Sequence, residues 1–154
     1  FNSSPESGAS QGHRHIQLLR RNNNEIVCPR SIWFEQFDSN ILNNTDLNNS
    51  VRVIQRKALN GANKKPDLYK CYLKLSMDLN IGNPEFDNKP KCPYNLLISE
   101  NWIAIIRRSK ENYLGFSING LGFAGYLLST SERATKSYIK MKGEHILNGV
   151  VSPK

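Results

Sequence analysis

The sequence predicts an α+β fold in which helices pack on an antiparallel sheet. Two apolar runs, 94–99 and 102–107, are separated by only two residues, and so short a connection predicts a β-hairpin. Apolar side chains recur with helical spacing over 66–79, and residues 13–20 alternate in the manner of a strand. At 154 residues, the chain is long enough to bury the core of one such domain.

The first predicted strand, over 13–20, carries two histidines and a glutamine at every second position. Successive side chains of a strand point to opposite faces, so His13, His15 and Gln17 are expected on one polar face. Just before the strand lies a turn of small residues, 8–12, with a glycine at each end. Because glycine permits positive φ and close approach, this turn is suited to surround a phosphate with N–H groups. An imidazole beside such a turn indicates phosphorus chemistry.

Two other interpretations of the histidine pair stay open at this point. Two histidines separated by one residue on a strand can also ligate zinc, and many histidine pairs have no chemical role. A zinc site needs further ligands, whereas His145 lies far along the chain and no CxxC or HExxH motif is present. The sequence therefore identifies no set of metal-ligating residues.

The composition limits the classes of partner. A net charge of +8 favours a polyanion, which can be a nucleic acid, a membrane surface or a nucleotide. The basic residues are scattered and lack the interleaved aromatics of a base-stacking surface, which argues against nucleic acid. The longest apolar stretch, 102–106, is far too short to cross a membrane, so no membrane partner is expected. Three cysteines without a pairing pattern indicate a reducing compartment, and the predicted location is cytoplasmic.

The chain divides into three predicted regions. Residues 1–21 hold the small-residue turn and the first strand. Residues 22–65 are rich in asparagine, and polar low-complexity sequence of this kind predicts a loop or an insertion. Within that region, the apolar cluster 32–37 is expected to dock on the core. Residues 66–154 hold the remaining elements.

The third region opens with the most regular pattern in the chain. The helix over 66–79 has Pro66 in its first turn and Gly82 beyond its end, and its apolar stripe predicts a core face. The hairpin 94–107 is almost continuously apolar, so both of its faces are expected to be covered. It ends in a basic corner, 107–110, which is either a solvated turn or a second phosphate contact.

A glycine-rich apolar run, 115–128, follows the hairpin. Its spacing matches neither a P-loop nor a dinucleotide-binding fingerprint, so close backbone packing and tight turns are expected there. Ser129 and Glu132 have the spacing of a capping box, which predicts a helix running towards Met141.

Several short motifs occur in a fixed order along the chain. They are Phe1-Asn2, Ser7-Gly8-Ala9-Ser10, His13-Arg14-His15-Ile16-Gln17, Leu68-Tyr69-Lys70-Cys71-Tyr72, Tyr94-Asn95-Leu96-Leu97, Trp102, Arg108-Ser109-Lys110-Glu111 and the run 117–125. This set resembles the ATP adenylyltransferases, or diadenosine tetraphosphate phosphorylases, of the histidine-triad superfamily. The HxHxQ motif alone is shared with hexose-1-phosphate uridylyltransferases, and the carboxy-terminal motifs distinguish the two. Gly12, Arg107 and Gly120 depart from the family's usual residues without removing a reactive group.

The resemblance implies a histidine-triad-like antiparallel sheet that contains the HxHxQ strand. In that family, the chain before the aromatic-Asn motif supplies further strands and much of the adenosine pocket. The sequence begins at this motif, so it is expected to be the carboxy-terminal part of an enzyme, apparently lacking the amino-terminal part. An upstream half of the same enzyme is then a possible partner.

The resemblance also implies a site and a reaction. His15 is the nucleophile, His13 positions it through its main-chain carbonyl, and Gln17 donates to a phosphate oxygen. The nucleotide and its phosphates are held by Asn2, Gly8, Ala9, Ser10, Gln11 and Gln17. Phosphate and a dinucleoside polyphosphate, diadenosine tetraphosphate, give ADP and ATP through a covalent adenylyl-histidine. A divalent cation such as magnesium is expected on the polyphosphate, and no protein ligands are identified for it.

Three rival functions are carried forward. The first is a second type of enzyme, either uridylyltransferase-like or a histidine-triad hydrolase. The second is a nucleotide-binding fragment without catalysis. The third is a basic RNA-binding module, whose affinity would fall steeply with salt, unlike that of a pocket for a small nucleotide.

Overall fold

The computed structural model describes residues 1–13, 16–20, 22, 25–37, 46–56, 66–129, 132, 136 and 143–151. The elements with described bounds are η1 (Pro5–Ser7), α1 (Ser31–Glu35), α2 (Asp46–Ser50), β1 (Val51–Gln55), α3 (Leu68–Asp78), β2 (Tyr94–Ile98), β3 (Trp102–Arg107), β4 (Asn112–Tyr113), β5 (Phe116–Ser117), α4 (Gly120–Ala124), β6 (Leu128–Ser129) and α5 (Gly143–Asn148). The strands form two antiparallel sheets, in the orders β1-β3-β2 and β4-β5-β6. The predicted α+β class is confirmed.

The larger sheet is built around the predicted hairpin. Strands β2 and β3 pair from Tyr94 opposite Arg107 to Ile98 opposite Ile103, which confirms the hairpin and its register. Strand β3 is the central strand, and its residues 102–106 are all buried. Strand β3 is therefore covered on both faces, as its continuous apolar run predicted. The same prediction is wrong for the end of β2, where Ile98 is 54% exposed.

Each face of this sheet has its own apolar core. Helix α3 covers one face, where Cys71, Leu75 and Leu79 pack against Ile103 and Ile105 of β3. The other face is covered by a second group that includes Phe34, Phe116, Phe123 and Ile146. Apolar side chains that line both faces place the sheet in the centre of the domain, between two hydrophobic layers.

The predicted helix 66–79 is confirmed as α3, with a shift at its first turn. The side chain of Asp67 caps the helix, and its Oδ1 accepts from the Lys70 N–H at 3.0 Å. A carboxylate at the N-cap satisfies an N–H that has no partner within the helix, so the helix begins at Leu68 and Pro66 lies outside it. Leu68 is consequently 39% exposed and does not join the core stripe.

The Asn-rich region 22–65 contains regular structure that its composition did not predict. Strand β1 (Val51–Gln55) pairs with β3 along its whole length, and helices α1 and α2 precede it in the sequence. The described part of this region is therefore not simply a loop. The β-branched residues of β1 fit a pleated, half-buried surface, which favours a strand there. The predicted docking of the cluster 32–37 holds at Phe34, which is 1% exposed and stacks on Trp102 with ring centroids 4.5 Å apart.

The strand predicted over 13–20 is not found in its described part. Residues 16–20 are in no strand, and Ile16 and Leu18 are 75% and 90% exposed. Arg14 and His15 lie outside the described residues. Alternation of side chains does not by itself supply a pairing partner, and the outer edge of β2 is already occupied by residues 1–3. The expected place of the HxHxQ motif in the sheet is thus wrong for the part of it that the structure describes.

The remaining elements agree in part with the sequence. Glu132 and Lys136 are helical, and the rest of the helix predicted towards Met141 lies outside the described residues. The glycine-rich run 115–128 contains β5, α4 and the first residue of β6. Among the described helices, we find none with the length and apolar character that a membrane span requires.

Candidate functional site

The first residues of the chain lie beside β2 and form an isolated antiparallel bridge with it. The Ser3 N–H donates to the Tyr94 carbonyl and the Leu96 N–H donates to the Phe1 carbonyl, each at 3.0 Å. Asn2 thereby lies opposite Asn95. In antiparallel pairing, residues between such hydrogen-bonded pairs bring their side chains close together, so Asn2 and Asn95 contact each other directly.

Asn2 joins the beginning of the chain to its carboxy-terminal motif. Its Oδ1 accepts one hydrogen bond from Asn95 Nδ2 at 2.8 Å and another from the Gly120 N–H at 2.9 Å. Its Nδ2 donates to the Gly8 carbonyl at 3.4 Å. A single amide side chain therefore contacts three of the motifs that were found in the sequence.

The small-residue turn is held together by its own hydrogen bonds. The buried Ser7 hydroxyl accepts from the Ser4 N–H at 3.0 Å and donates to the Ser4 carbonyl at 2.8 Å. The N–H groups of Gly8 and Ala9 donate to the carbonyls of Pro5 and Ser4. These two N–H groups are therefore not available to a phosphate, which corrects the role expected of the Gly8 amide. Ser10 and Gln11, later in the predicted turn 8–12, are exposed.

Gly8 occupies a position that no other residue fits without strain. Its φ is +84°, and an added Cβ would lie 2.7 Å from both the Asn119 Cβ and the Ile118 carbonyl oxygen. Asn119 cannot easily move away, because its Oδ1 caps α4 by accepting from the N–H groups of Leu121 and Gly122. Glycine at this position allows the turn to pack directly on the carboxy-terminal motif.

Replacing Gly8 with alanine is expected to lower the free energy of unfolding by about 3 kcal/mol, from left-handed backbone strain and overpacking together. Urea denaturation followed by circular dichroism measures this change. The matched control is Gly12→Ala, since nothing lies within 4 Å of a Cβ at Gly12 and its φ is not positive. The control is expected to change stability by less than about 0.5 kcal/mol. Equal effects of the two variants would contradict the packing described for Gly8.

Arg108 is a fully buried cation beneath the turn. It is 1% exposed, and its guanidinium lies over the Phe123 ring with 5.1 Å between Cζ and the ring centroid. Burial lowers the pKa of Arg108 to about 10, and the nearby Glu111 carboxylate raises it. The side chain is thus a cation at neutral pH in spite of its burial.

The guanidinium of Arg108 donates to groups from five parts of the chain. Its partners are the Val150 carbonyl at 3.2 Å, the Ile118 carbonyl at 2.9 Å, the adjacent carbonyls of Lys110 and Glu111 at 2.8 and 3.4 Å, Asn95 Oδ1 at 2.5 Å and the Ser7 carbonyl at 3.4 Å. Hydrogen bonds of this kind satisfy the charge and compensate for its burial. The basic corner 107–110 was expected to be either a solvated turn or a second phosphate contact. Neither describes Arg108, which binds main-chain carbonyls in the interior.

The structure gathers some of the predicted site residues and not others. Asn2 and Gly8 lie together with Gly120. His13 and Gln17 are exposed, and His15, the predicted nucleophile, lies outside the described residues. Asn95 and Arg108 were not predicted as site residues, although both belong to quoted motifs. For Asn95, the sequence offered one signal of a special role, namely a polar residue at the start of an otherwise apolar strand.

No protein site for a metal ion is found in the described parts of the chain. No three histidine, cysteine, aspartate or glutamate side chains within those ranges are grouped so that they could hold one. The groups around Asn2 are amides, main-chain atoms and an arginine, which are not the carboxylate set that magnesium prefers. Magnesium on the polyphosphate stays a prediction.

Comparisons with known proteins agree with the motifs. Residues 28–153 match the family model of the ATP adenylyltransferase C-terminal domain. The chain is 24% identical to Protein APA1 of Saccharomyces cerevisiae, over 86% of this chain and 44% of that protein. It is 23% identical to diadenosine 5',5'''-P1,P4-tetraphosphate phosphorylase 2 of the same yeast, over 83% of this chain and 43% of that protein.

A solved structure shows the same fold. The crystal structure of yeast Ap4A phosphorylase Apa2 superposes with a TM-score of 0.64 at 18% identity, covering 97% of this chain and 52% of that chain. The predicted histidine-triad-like fold is thereby confirmed over the region compared, and the chain spans about half the length of the relatives it matches. The match of the family model over most of the sequence shows that this chain belongs to the ATP adenylyltransferase C-terminal domain family.

Proposed function

We propose that the protein is a nucleotidyltransferase that cleaves diadenosine tetraphosphate with inorganic phosphate, giving ADP and ATP. The observation that carries this proposal is the contact of Asn2 with both the small-residue turn and Gly120. That contact joins the proposed phosphate-binding residues to the carboxy-terminal motif that distinguishes this family from other HxHxQ enzymes. The yeast relative whose name specifies this phosphorolysis supports the choice of substrate.

The proposed reaction proceeds in two steps through a covalent intermediate on His15. In the first, Nε2 of His15 bonds to the α-phosphorus, and the bond from that phosphorus to the bridging oxygen of the leaving ATP breaks. In the second, an oxygen of inorganic phosphate bonds to the same phosphorus, the phosphorus–nitrogen bond breaks, and ADP leaves. Covalent catalysis divides one difficult transfer into two easier ones.

The other HxHxQ residues have supporting roles in this proposal. The main-chain carbonyl of His13 accepts from Nδ1 of His15, which fixes the tautomer and leaves Nε2 unprotonated for attack. Gln17 donates an amide N–H to a non-bridging phosphate oxygen. Because an amide does not titrate near neutral pH, it favours holding the adduct for phosphate over proton transfer to a water molecule.

The phosphates are bound where the small-residue turn ends. The hydroxyl of Ser10 and the N–H of Gln11 are the proposed donors, because both residues are exposed. Asn2 adds an amide donor from the interior side. Donors placed at a developing negative charge lower the barrier of such transfers by about 3 kcal/mol each.

The protein is proposed to act in the cytoplasm. Its three cysteines, Cys28, Cys71 and Cys92, are all free thiols. Unpaired cysteines are typical of proteins from reducing compartments.

The test is a product analysis of the intact protein, since the matched relatives are about twice as long as the region compared. With diadenosine tetraphosphate and phosphate, we expect equal amounts of ADP and ATP. With phosphate omitted, we expect turnover to stop and the protein to gain the mass of one adenylyl group.

Each rival function has a different outcome in this assay. AMP and ATP formed without phosphate would identify a hydrolase, and uridylyl transfer from a UDP-hexose would identify a uridylyltransferase. Saturable binding of ATP with neither products nor adduct would identify a nucleotide-binding protein without catalysis. Affinity for RNA that falls steeply with salt, without saturable ATP binding, would identify an RNA-binding module.

A further inference from the structure

The buried amide of Asn95 has a fixed orientation. Its Oδ1 accepts from Arg108 Nη1 at 2.5 Å, and its Nδ2 donates to Asn2 Oδ1 and to the Ser7 carbonyl, each at 2.8 Å. An arginine side chain has five N–H donors and no acceptor, so only the amide oxygen can face it. The Nδ2 group must then face two oxygens, both of which are acceptors. Arg108 thus determines which way Asn95 points.

The oriented Asn95 amide and the Gly120 N–H together determine the orientation of Asn2. The Asn2 Oδ1 receives the Asn95 Nδ2 at 2.8 Å and the Gly120 N–H at 2.9 Å, so both of its strong contacts are with donors. If the Asn2 amide were reversed, two N–H groups would face its own NH2, and these would repel. The Asn2 amide nitrogen is therefore held on the side away from Asn95.

The Asn2 amide nitrogen is left with unused donor capacity. It carries two N–H groups, and its contact among the described residues is the long one to the Gly8 carbonyl at 3.4 Å. Asn2 as a residue is partly exposed, and its second N–H is the donor proposed for a ligand. A group that only donates selects a partner that accepts, and a phosphate oxygen is the strongest acceptor in the proposed substrate.

We propose that Asn95 and Arg108 are positioning residues that hold Asn2 as a donor, so that its Nδ2 binds a non-bridging phosphate oxygen of the nucleotide. This inference rests on the proposed function for the identity of the ligand. It adds to that function a positioning role for two residues: Arg108 orients the Asn95 amide, and Asn95 helps to orient the Asn2 amide. Neither Asn95 nor Arg108 touches the substrate in this proposal.

Asn95→Asp is the first test, because a carboxylate still accepts from Arg108 but cannot donate to Asn2. The Asn2 amide then turns its NH2 towards the new carboxylate, and the donor is lost from the site. We expect kcat/KM for diadenosine tetraphosphate and the affinity for ATP each to fall 10- to 100-fold, as for one hydrogen bond to a charged group. The control Asn112→Asp, on the exposed strand β4, is expected to stay within twofold of the wild type.

Asn2→Asp is the second test, and it leaves the contacts of Asn95 and Gly120 intact. A carboxylate accepts from both of these donors as the amide oxygen does, and among the contacts described for Asn2 only the long one to the Gly8 carbonyl is lost. Circular dichroism and urea unfolding check that the variant keeps its fold. The donor towards the phosphate is replaced by an acceptor with negative charge. We expect the affinity for ATP, measured by calorimetry, to fall at least 100-fold. Unchanged affinity would overturn the assignment of Asn2 as a donor.

A double-mutant cycle separates positioning from general destabilisation. If Asn95 acts through Asn2, the double variant Asn2→Ala with Asn95→Asp loses no more kcat/KM than Asn2→Ala alone. Independent losses that multiply, or an Asn95→Asp variant as active as the wild type, would overturn the proposal. If the wild type itself performs no phosphorolysis, the proposed function fails, and the same cycle in ATP affinity still decides whether Asn95 positions Asn2.

Discussion

Replacing Arg108 with methionine is expected to lower the free energy of unfolding by about 4 kcal/mol. The substitution keeps much of the buried volume but removes every donor of the guanidinium. Carbonyls from Ser7, Ile118 and Val150 then stay buried without that partner, and each such loss costs about 1–3 kcal/mol. The individual losses do not add fully, because they share one side chain. Urea unfolding gives the change from the shift of the midpoint.

The neighbouring Arg107 provides a matched control for this prediction. Arg107 is only partly buried, and its Nε has no hydrogen-bond partner among the described residues. Arg107→Met is expected to change stability by less than about 1 kcal/mol. A similar loss in the two variants would contradict the role of Arg108 as the centre of the buried network. The difference is expected to be the same at pH 6 and pH 8, because the pKa of Arg108 lies near 10 and the cation is complete at both values.

Replacing His15 with alanine is expected to reduce kcat for diadenosine tetraphosphate phosphorolysis on the order of 10⁴-fold or more. The reason is chemical, since the variant has no nitrogen with which to form the proposed adenylyl intermediate. Stopped assays of ADP formation measure the rate, and intact-protein mass measures the adduct. We expect nucleotide affinity to change little, because the proposed phosphate contacts come from Asn2, Ser10, Gln11 and Gln17 and not from His15.

A histidine elsewhere in the chain serves as the control for that variant. His145 lies in α5, where its ring contacts Tyr113 with 5.7 Å between centroids. His145→Ala is expected to retain activity within about threefold, as for a surface substitution away from the site. An active His15→Ala protein, or an adduct that forms without His15, would refute the proposed intermediate.

The parts of the fold that the sequence predicted are those determined by local spacing. The hairpin of β2 and β3 and the helix α3 each follow from a periodicity within about a dozen residues. Strand β1 was missed because the composition of its region indicated a loop, while its partner β3 lies about 50 residues along the chain. The alternation over 13–20 predicted a strand, but residues 16–20 pair with nothing in the described structure. Side-chain periodicity shows that a segment can form a strand, but whether it does depends on a neighbouring strand with which to pair.

In the candidate site, too, short motifs predicted the local features, whereas contacts between residues distant in sequence were missed. Gly8 and Asn2 were predicted from short motifs, and the positive φ of Gly8 agrees with the turn that was expected. The availability of the Gly8 N–H was not predictable, because it depends on the Pro5 carbonyl of a 3-10 turn. Arg108 was taken as part of a basic corner, since a sequence gives no measure of burial for a cation. Apart from the Asn95 amide, its partners are main-chain carbonyls, which no particular residue type marks in a sequence.

The pairing of residues 1–3 with β2 has a consequence for how the site forms during folding. Asn2 and Gly120 are joined by a hydrogen bond across 118 positions of sequence, and Ser7 and Arg108 across 101. Contacts of such high contact order close large loops, whose entropy is lost before the contacts form. The Asn2 amide is consequently oriented only once residues 1–3 have paired with β2 and Gly120 has packed beside them. Formation of the site thus depends on long-range pairing with the central sheet, and the local turn alone does not provide it.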